Sequence, residues 1–268
     1  MLAFTNLSLF ALHFASAAYV FFNRDSVPDR FRKIKIFRQQ VAPAGQGSMD
    51  YSFTNEVVTT VDLALLISTF FFITAIFHLS YFIGRNSWYA KFLEDGWNPV
   101  RWIEYAITAT IMVVILSLTA TLQDMSTFIM VIVATSMIML LGAGIERAMI
   151  KDDKFQAGLL LKVGWILQIA VFVVIGIAFV TTIQAVNKKL TAEQAKETIP
   201  SWVYVILIGE LIFFSCFGIV SAVQFVRKFG RKKTDFVKYE RVYHLLSLLA
   251  KLTLGWVFFV GATKARQG

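Results

Sequence analysis

HLLSLLAKLTLGW, residues 244–256, is an almost wholly apolar stretch with one lysine, Lys251, near its centre. Its length and its lack of alternation between polar and apolar residues predict a helix rather than a strand. A charged side chain in the middle of a bilayer costs about 3 kcal/mol on insertion scales. If this helix crosses a membrane, Lys251 therefore needs either an anionic partner or a covalent use.

The composition of the whole chain is that of a membrane protein. Of its 268 residues, 57% are hydrophobic and 15% are aromatic. A helix needs about 20 mostly apolar residues to cross a bilayer, and continuous runs of that length are far longer than strands. The sequence contains seven such runs, at residues 2–22, 57–83, 101–123, 125–147, 158–185, 200–226 and 239–262. It therefore predicts one domain over residues 1–268, an all-α bundle of seven transmembrane helices.

Three further features of the composition limit the alternatives. The first run is about twice the length of a signal-peptide core and has no basic start, so we interpret it as a transmembrane helix. A single cysteine, Cys216, excludes an intrachain disulfide. The net charge of +9 lies in the loops, where contact with the headgroups of a lipid bilayer explains it better than nucleic-acid binding does.

The basic residues of the short connections predict an orientation. Ten lysines and arginines of these connections lie on one side of the membrane and five on the other, and the richer side is usually cytoplasmic. This bias places the N-terminus in the cytoplasm and the C-terminus outside the cell. The long first connection, residues 23–55, opposes the bias with six basic residues.

The first connection also carries a strand pattern. FRKIKIF, residues 31–37, alternates polar and apolar residues, residues 42–48 are rich in turn formers, and residues 50–55 suit a returning strand. We predict a short extracellular β-ribbon, with a disordered basic loop as the alternative. A two-stranded ribbon is marginally stable alone, so it should lie on the membrane face or on a partner subunit. Elsewhere, TAEQ at residues 191–194 has capping-box spacing and predicts a short helix.

RWIEYAITAT, residues 101–110, supplies a carboxylate for Lys251. Pro99 suits a first helical turn, which places Glu104 about 8 Å along the third run. If the seventh run enters the bilayer near Tyr243, the backbone of Lys251 is about 12 Å inside, and its side chain leans back toward the helix start. The third and seventh runs begin on the same face, so the amine and the carboxylate should reach a similar depth.

Three other polar residues extend this predicted site. Arg101 lies three residues before Glu104 on the same helix face and is expected to close the site toward water, unless the two form only an interfacial ion pair. His13 and His78 lie inside apolar runs. Because His78 approaches the face from which Glu104 starts, we predict a polar, hydrated pocket, with hydrogen-bonded packing as the alternative. No two histidines are spaced four residues apart, so no metal site is predicted.

Seven helices, a lysine within the last and a carboxylate early in the third describe a retinal protein, since condensation with an aldehyde is a known use of a buried lysine. RWIEY at residues 101–105 and SLLAKLTLGW at residues 247–256 resemble the heliorhodopsins, and the resemblance covers essentially the whole chain. It implies that Lys251 holds all-trans retinal as a protonated Schiff base, that Glu104 is its counterion and that Ser247 is its neighbour.

The same resemblance implies further site residues and a homodimer. His13, His78, Arg101 and Glu146 would line a polar cavity on the cytoplasmic side. Residues around the chromophore would be apolar, although ordinary packing explains such residues equally well. They are Met137, Trp165, Phe214, Phe217 and Trp256.

Two departures from ordinary microbial rhodopsins bear on the function. Outward proton pumps place an aspartate where this chain has Ser247 and a carboxylate where it has Ile115, and a pump needs both a donor and an acceptor. We therefore expect a light sensor, not an enzyme, that signals to a partner the sequence does not identify. The alternative is a light-gated ion or proton channel, favoured by Asp62 and Glu210 in the apolar runs. A small-molecule transporter or a retinal-free receptor would leave Lys251 unexplained.

The predicted orientation can be tested with epitope tags at the two ends of the chain. A tag after Gly268 should be labelled by antibody on intact cells, whereas a tag before Met1 should be labelled only after permeabilisation. Permeabilised cells, in which both tags are accessible, serve as the control. The reverse pattern would contradict the orientation and would place Glu104 toward the extracellular side.

Overall fold

A computed structural model describes residues 2–43, 51–189, 199–230 and 235–265. Among these residues, seven helices are long and apolar enough to cross a membrane, which confirms the predicted bundle. The long helices are α1 Leu2–Phe22, α3 Leu63–Ile83, α5 Pro99–Thr119, α6 Met125–Ile150, α7 Lys154–Lys189, α8 Ser201–Phe229 and α9 Phe236–Lys264, and the connections contain α2 Asp29–Arg32 and α4 Trp88–Asp95. We call the end of the bundle at which α5, α7 and α9 begin the basic end.

Short polar residues fix where several of these helices begin. The side chains of Asp62, Asn98, Asp124 and Asp235 accept hydrogen bonds from backbone amides in the first turns of α3, α5, α6 and α9, which satisfies donors that a helix start otherwise leaves free. Helix α9 therefore begins earlier than the sequence suggests. Lys251 lies 15 residues after Phe236, or about 22 Å along the helix.

The start of α3 corrects the expectation for Asp62. The second apolar run was predicted to be helical from residue 57, but residues 57–62 belong to a strand and the helix begins at Leu63. Asp62 caps this helix and lies 3.7 Å from the guanidinium of Arg32. Asp62 is therefore a cap at the membrane boundary and gives no support to an ion path through the bundle.

The predicted ribbon is present and is longer than expected. Strands β1 Lys33–Pro43 and β2 Tyr51–Asp62 pair antiparallel, with a bulge between Ile36 and Phe37. The ribbon lies against its own bundle, because the amide of Phe37 donates to the carbonyl of Gln123, between α5 and α6, at 2.8 Å. Of the turn predicted at residues 42–48, residues 44–48 lie outside the described residues, and so does the helix predicted at residues 191–194.

An ion-pair cluster anchors the base of the ribbon. The guanidinium of Arg32 contacts Asp25, Asp29 and Asp62, and Lys33 also contacts Asp29. The hydrogen bond from Arg32 lowers the pKa of Asp25, and the hydrogen bonds from Lys33 and Arg32 lower the pKa of Asp29. The first connection is thereby tied to the residue that begins α3.

Close packing ties α9 to α3 near the centre of the bundle. A Cβ atom at Gly255 would lie 2.5 Å from the ring of Phe71 and 3.3 Å from the side chain of Ile67. Real Cβ atoms do not approach other atoms at 2.5 Å, so only glycine lets the two helices meet here. On a neighbouring face of α3, Ser68 donates a hydrogen bond to the carbonyl of Ala17 in α1 at 2.9 Å.

Candidate functional site

A buried ion pair lies at the centre of the bundle. The amine of Lys251, only 2% exposed, donates to Glu104 Oε1 and to Ser247 Oγ, both at 2.9 Å. Ser247 and Lys251 are four residues apart and therefore share one face of α9, whereas Glu104 comes from the second turn of α5. The amine is thus held by one carboxylate and one hydroxyl.

Further hydrogen bonds hold α5 in place beside this pair. The hydroxyl of Tyr105 donates to the carbonyl of Tyr243 in α9 at 3.1 Å. Thr108 donates to the carbonyl of Glu104 at 2.9 Å. The ring of Tyr105 also lies beneath the amine of Lys251, with 5.4 Å between the nitrogen and the ring centroid. The position of Glu104 relative to Lys251 is therefore fixed by the backbone and by aromatic contacts.

Two narrow cavities continue from the amine toward α7. A cavity of about 20 Å³ touches Lys251 and Ser247, and a second of about 50 Å³ lies between α6, α7 and α8. They share Met139, Phe214 and Phe217 as a common wall. The larger cavity is lined mainly by apolar side chains and by glycines, among them Trp102, Ile138, Gly142, Gly164, Trp165 and Gly218. The amine therefore lies at one end of a mostly apolar space that the shared side chains divide.

The structure separates the predicted chromophore residues into two groups. Trp165, Phe214 and Phe217 line the cavities, but Met137 is 46% exposed on the outer side of α6. Met139 lines both cavities instead, because side chains two positions apart on a helix point to nearly opposite sides. Trp256 contacts α1, where its indole nitrogen donates to Ser16 at 3.3 Å, and it lines neither cavity.

A second buried charge cluster lies nearer the basic end. Arg101 is fully buried and donates to both Glu146 of α6 and Glu240 of α9. Asn98 also donates to Glu240, at 2.6 Å. This corrects the expectation for Arg101, which neither pairs with Glu104 nor faces water. The reason is that α9 begins at Phe236, about two turns before Tyr243, and so brings Glu240 into the bundle.

Three histidine rings lie in contact between the two charge clusters. The rings of His13 and His78 are nearly parallel with centroids 5.7 Å apart, and the His244 ring lies 5.3 Å from that of His78. His78 Nδ1 is 2.9 Å from Asn6 Oδ1. His244 Nε2 is 3.8 Å from Glu240 Oε1, so the histidines join the cluster around Arg101. Within the described ranges, no group of three or more metal-ligating side chains is placed to hold an ion.

Sequence reasoning missed Glu240 and His244. It placed the membrane boundary near Tyr243 and assigned neither residue a role, although both lie within the seventh run. Their four-residue spacing puts them on one helix face, and Glu240 lies 11 residues, or about three turns, before Lys251 on the same helix. That shared face was the signal that could have identified them.

This fold, with a buried amine and carboxylate at its centre, defines a rhodopsin-like membrane protein. The chain is similar to the crystal structure of Exiguobacterium sibiricum rhodopsin, with a TM-score of 0.65 and 15% sequence identity over 99% of this chain and 97% of that one. At this identity the similarity concerns the fold alone. No curated protein sequence matches the chain.

The family follows from the sequence. A sequence model of the heliorhodopsin family matches residues 2–263, and the chain therefore belongs to the heliorhodopsins. Membership in this family makes it a retinal-binding, light-responsive protein, and the seven helices make it a multi-pass membrane protein.

The chemistry of the site suits retinal. The primary amine of Lys251 borders one end of a mostly apolar space, and at the other end a Cβ atom at Gly164 would meet nothing within 4 Å. Pockets for ligands of this size have roughly 300–1,000 Å³, far more than the two cavities. Met139, Phe214 and Phe217 must therefore move apart to admit a chromophore between them.

We expect Arg101→Ala to destabilise the protein strongly, because it leaves Glu146 and Glu240 buried without their cation. Breaking a buried ion pair in this way costs about 3–5 kcal/mol. The measurement is the free energy of unfolding in mixed micelles titrated with a denaturing detergent. Arg147→Ala is the matched control, since Arg147 is exposed and stacks on Trp97. Equal, small losses for both variants would contradict a structural role for the cluster.

Proposed function

We propose that this protein is a light sensor that carries all-trans retinal on Lys251 and signals through helix movement rather than by pumping ions. The observation that carries the proposal is the buried contact of Lys251 with Glu104 and Ser247 beside an apolar cavity. A lysine at this depth requires a use for its nitrogen. The family to which the chain belongs makes retinal the aldehyde concerned.

The side chains around Lys251 have distinct roles in this proposal. Retinal, when bound, supplies the light-absorbing polyene and the aldehyde that condenses with the lysine. Glu104 keeps a proton and its positive charge on the Lys251 nitrogen, because an adjacent carboxylate favours the charged form. Ser247 accepts a hydrogen bond but carries no charge, so Glu104 is the counterion. Tyr105 holds α5 beside the nitrogen through its ring and through its hydrogen bond to the backbone of α9.

The distribution of polar residues favours sensing over pumping. Within the described parts of the chain, the buried carboxylates and histidines other than Glu104 and Glu210 lie between Lys251 and the basic end, in the clusters around Arg101 and His78. In the other direction along α5, Ile115 is fully buried within the apolar core. A pump needs an acceptor on one side of the chromophore and a donor on the other.

Helix α9 is the element that would carry the signal. It holds Lys251 at its centre and Glu240 and His244 nearer the basic end, so a displacement at Lys251 acts on both charge clusters. We propose that the basic end is cytoplasmic, that the protein is a homodimer and that a separate signalling partner is recognised at the basic end. The excess of basic residues in the short connections supports this orientation.

A light-gated proton or ion channel is the second candidate, and Glu210 favours it. This residue of α8 is 1% exposed, and neither carboxylate oxygen has a hydrogen-bond partner within the described residues. Intramembrane acids often mark proton paths. Light-induced current under voltage clamp, in cells that also show the visible pigment, distinguishes this candidate from the sensor: current supports the channel, and pigment without current supports the sensor.

Lys251→Ala should abolish the visible absorption band of protein expressed with all-trans retinal while leaving a folded membrane protein. The reason is that the variant lacks the amine to which the aldehyde attaches. Lys162→Ala is the matched control and should keep the band, because Lys162 is exposed on α7. An acid-stable pigment in the Lys251 variant would place the attachment at another residue.

Glu104→Gln should keep the attachment but shift the absorption to longer wavelength, since less negative charge then holds the positive charge at the nitrogen. On titration with base, the visible band should disappear at a pH at least about one unit below that of the wild type. Absorption spectra across the pH range measure both effects. If the variant titrates like the wild type, another acid is the counterion and Glu210 becomes the next candidate.

A further inference from the structure

One polar side chain lines the larger cavity without an assigned role. Gln168 of α7 is only 7% exposed and lines this cavity beside Trp165 and Phe214. In the part of the chain that the structure describes, its amide makes no hydrogen bond. Ser221 lines the same cavity, but its hydroxyl lies beside the phenol of Tyr243.

The amide opens onto this apolar cavity, where a polar group without a partner is costly, whereas an apolar side chain of similar size would fill the same place without that cost. The cost is removed when a bound molecule supplies a hydrogen-bonding atom. A binding site that holds such a polar group also discriminates against molecules that leave it unpaired. Gln168 is therefore placed to select among ligands of the cavity.

The position of Gln168 shows which part of a ligand it would meet. It lines the larger cavity but not the smaller one, which contains Lys251. Phe214 and Phe217 lie between, because they line both. A molecule attached to Lys251 that extends past these two rings brings its far end to Gln168.

We propose that Gln168 binds an oxygen atom on the ring of the chromophore, so that the protein prefers a ring-oxygenated retinal to unsubstituted retinal. This inference rests on the proposed attachment of retinal to Lys251. The amide nitrogen of Gln168 donates to a hydroxyl or a keto oxygen, and its carbonyl oxygen also accepts from a hydroxyl. The unsubstituted ring offers neither and leaves the amide unpaired.

A competition experiment tests the preference. Membranes containing the full chain are incubated with equal amounts of all-trans retinal and its ring-hydroxylated derivative, and the bound aldehydes are released with hydroxylamine and quantified by chromatography. The wild type should be enriched in the hydroxylated form by about two- to tenfold, the range expected for one neutral hydrogen bond. Gln168→Leu should form pigment with both aldehydes and show no enrichment.

Ser221→Ala is the matched control, because it removes the other polar side chain of the same cavity and should keep the enrichment. Loss of enrichment in this control but not in Gln168→Leu would overturn the proposal, as would a wild type that takes up both aldehydes equally. That second result would leave the proposed function intact. If the wild type forms pigment with neither aldehyde, the proposed function fails and this inference fails with it.

Discussion

The ion pair between Lys251 and Glu104 constrains the rest of the structure. Neither charge is stable alone at this depth, because removing an ion from water costs several kcal/mol even after the protein relaxes. Each is therefore tolerated only while α5 and α9 keep one relative height and one rotation. The hydrogen bond from Lys251 to Ser247 adds a neutral partner and leaves the charge balance with a single carboxylate.

The same two helices are joined again nearer the basic end. Arg101 of α5 contacts Glu240 of α9, and Tyr105 donates to the backbone of Tyr243. These links lie at successive levels along the helices, so the site at Lys251 and the cluster at Arg101 belong to one rigid interface. The third contact of the cluster, with Glu146, brings α6 into that interface.

Much of the architecture could be predicted from the sequence because a bilayer imposes strong rules. Continuous apolar runs of sufficient length have few alternatives to transmembrane helices, and the exceptional charges within them, Lys251 and Glu104, need each other. The details that failed depend on the rotational phase of a helix or on the residue at which a helix begins. Met137 and Met139 differ only in which side of α6 they occupy. Asp62 was placed inside a transmembrane helix because strand β2 ends at Asp62 and α3 begins at the next residue.

Glu240 and His244 could not be assigned by hydropathy for a related reason. They lie in the polar first turns of the seventh run, and only the burial of Arg101 against two carboxylates shows that α9 is already inside the protein there. Partners supplied by other helices decide where a polar residue is stable. The residues next to it in the sequence do not reveal those partners.

The close contact at Gly255 restricts the directions in which α9 can move. One turn beyond Lys251, its backbone lies against the ring of Phe71 with no space for even a methyl group. A displacement of Lys251 toward α3 is therefore blocked at Gly255. Helix α9 then has to rotate about its own axis or slide along α3 instead. Phe71 also lies against His13, with ring centroids 5.7 Å apart, so a movement of α9 reaches α1 through this ring as well as through the direct contact of Trp256 with Ser16.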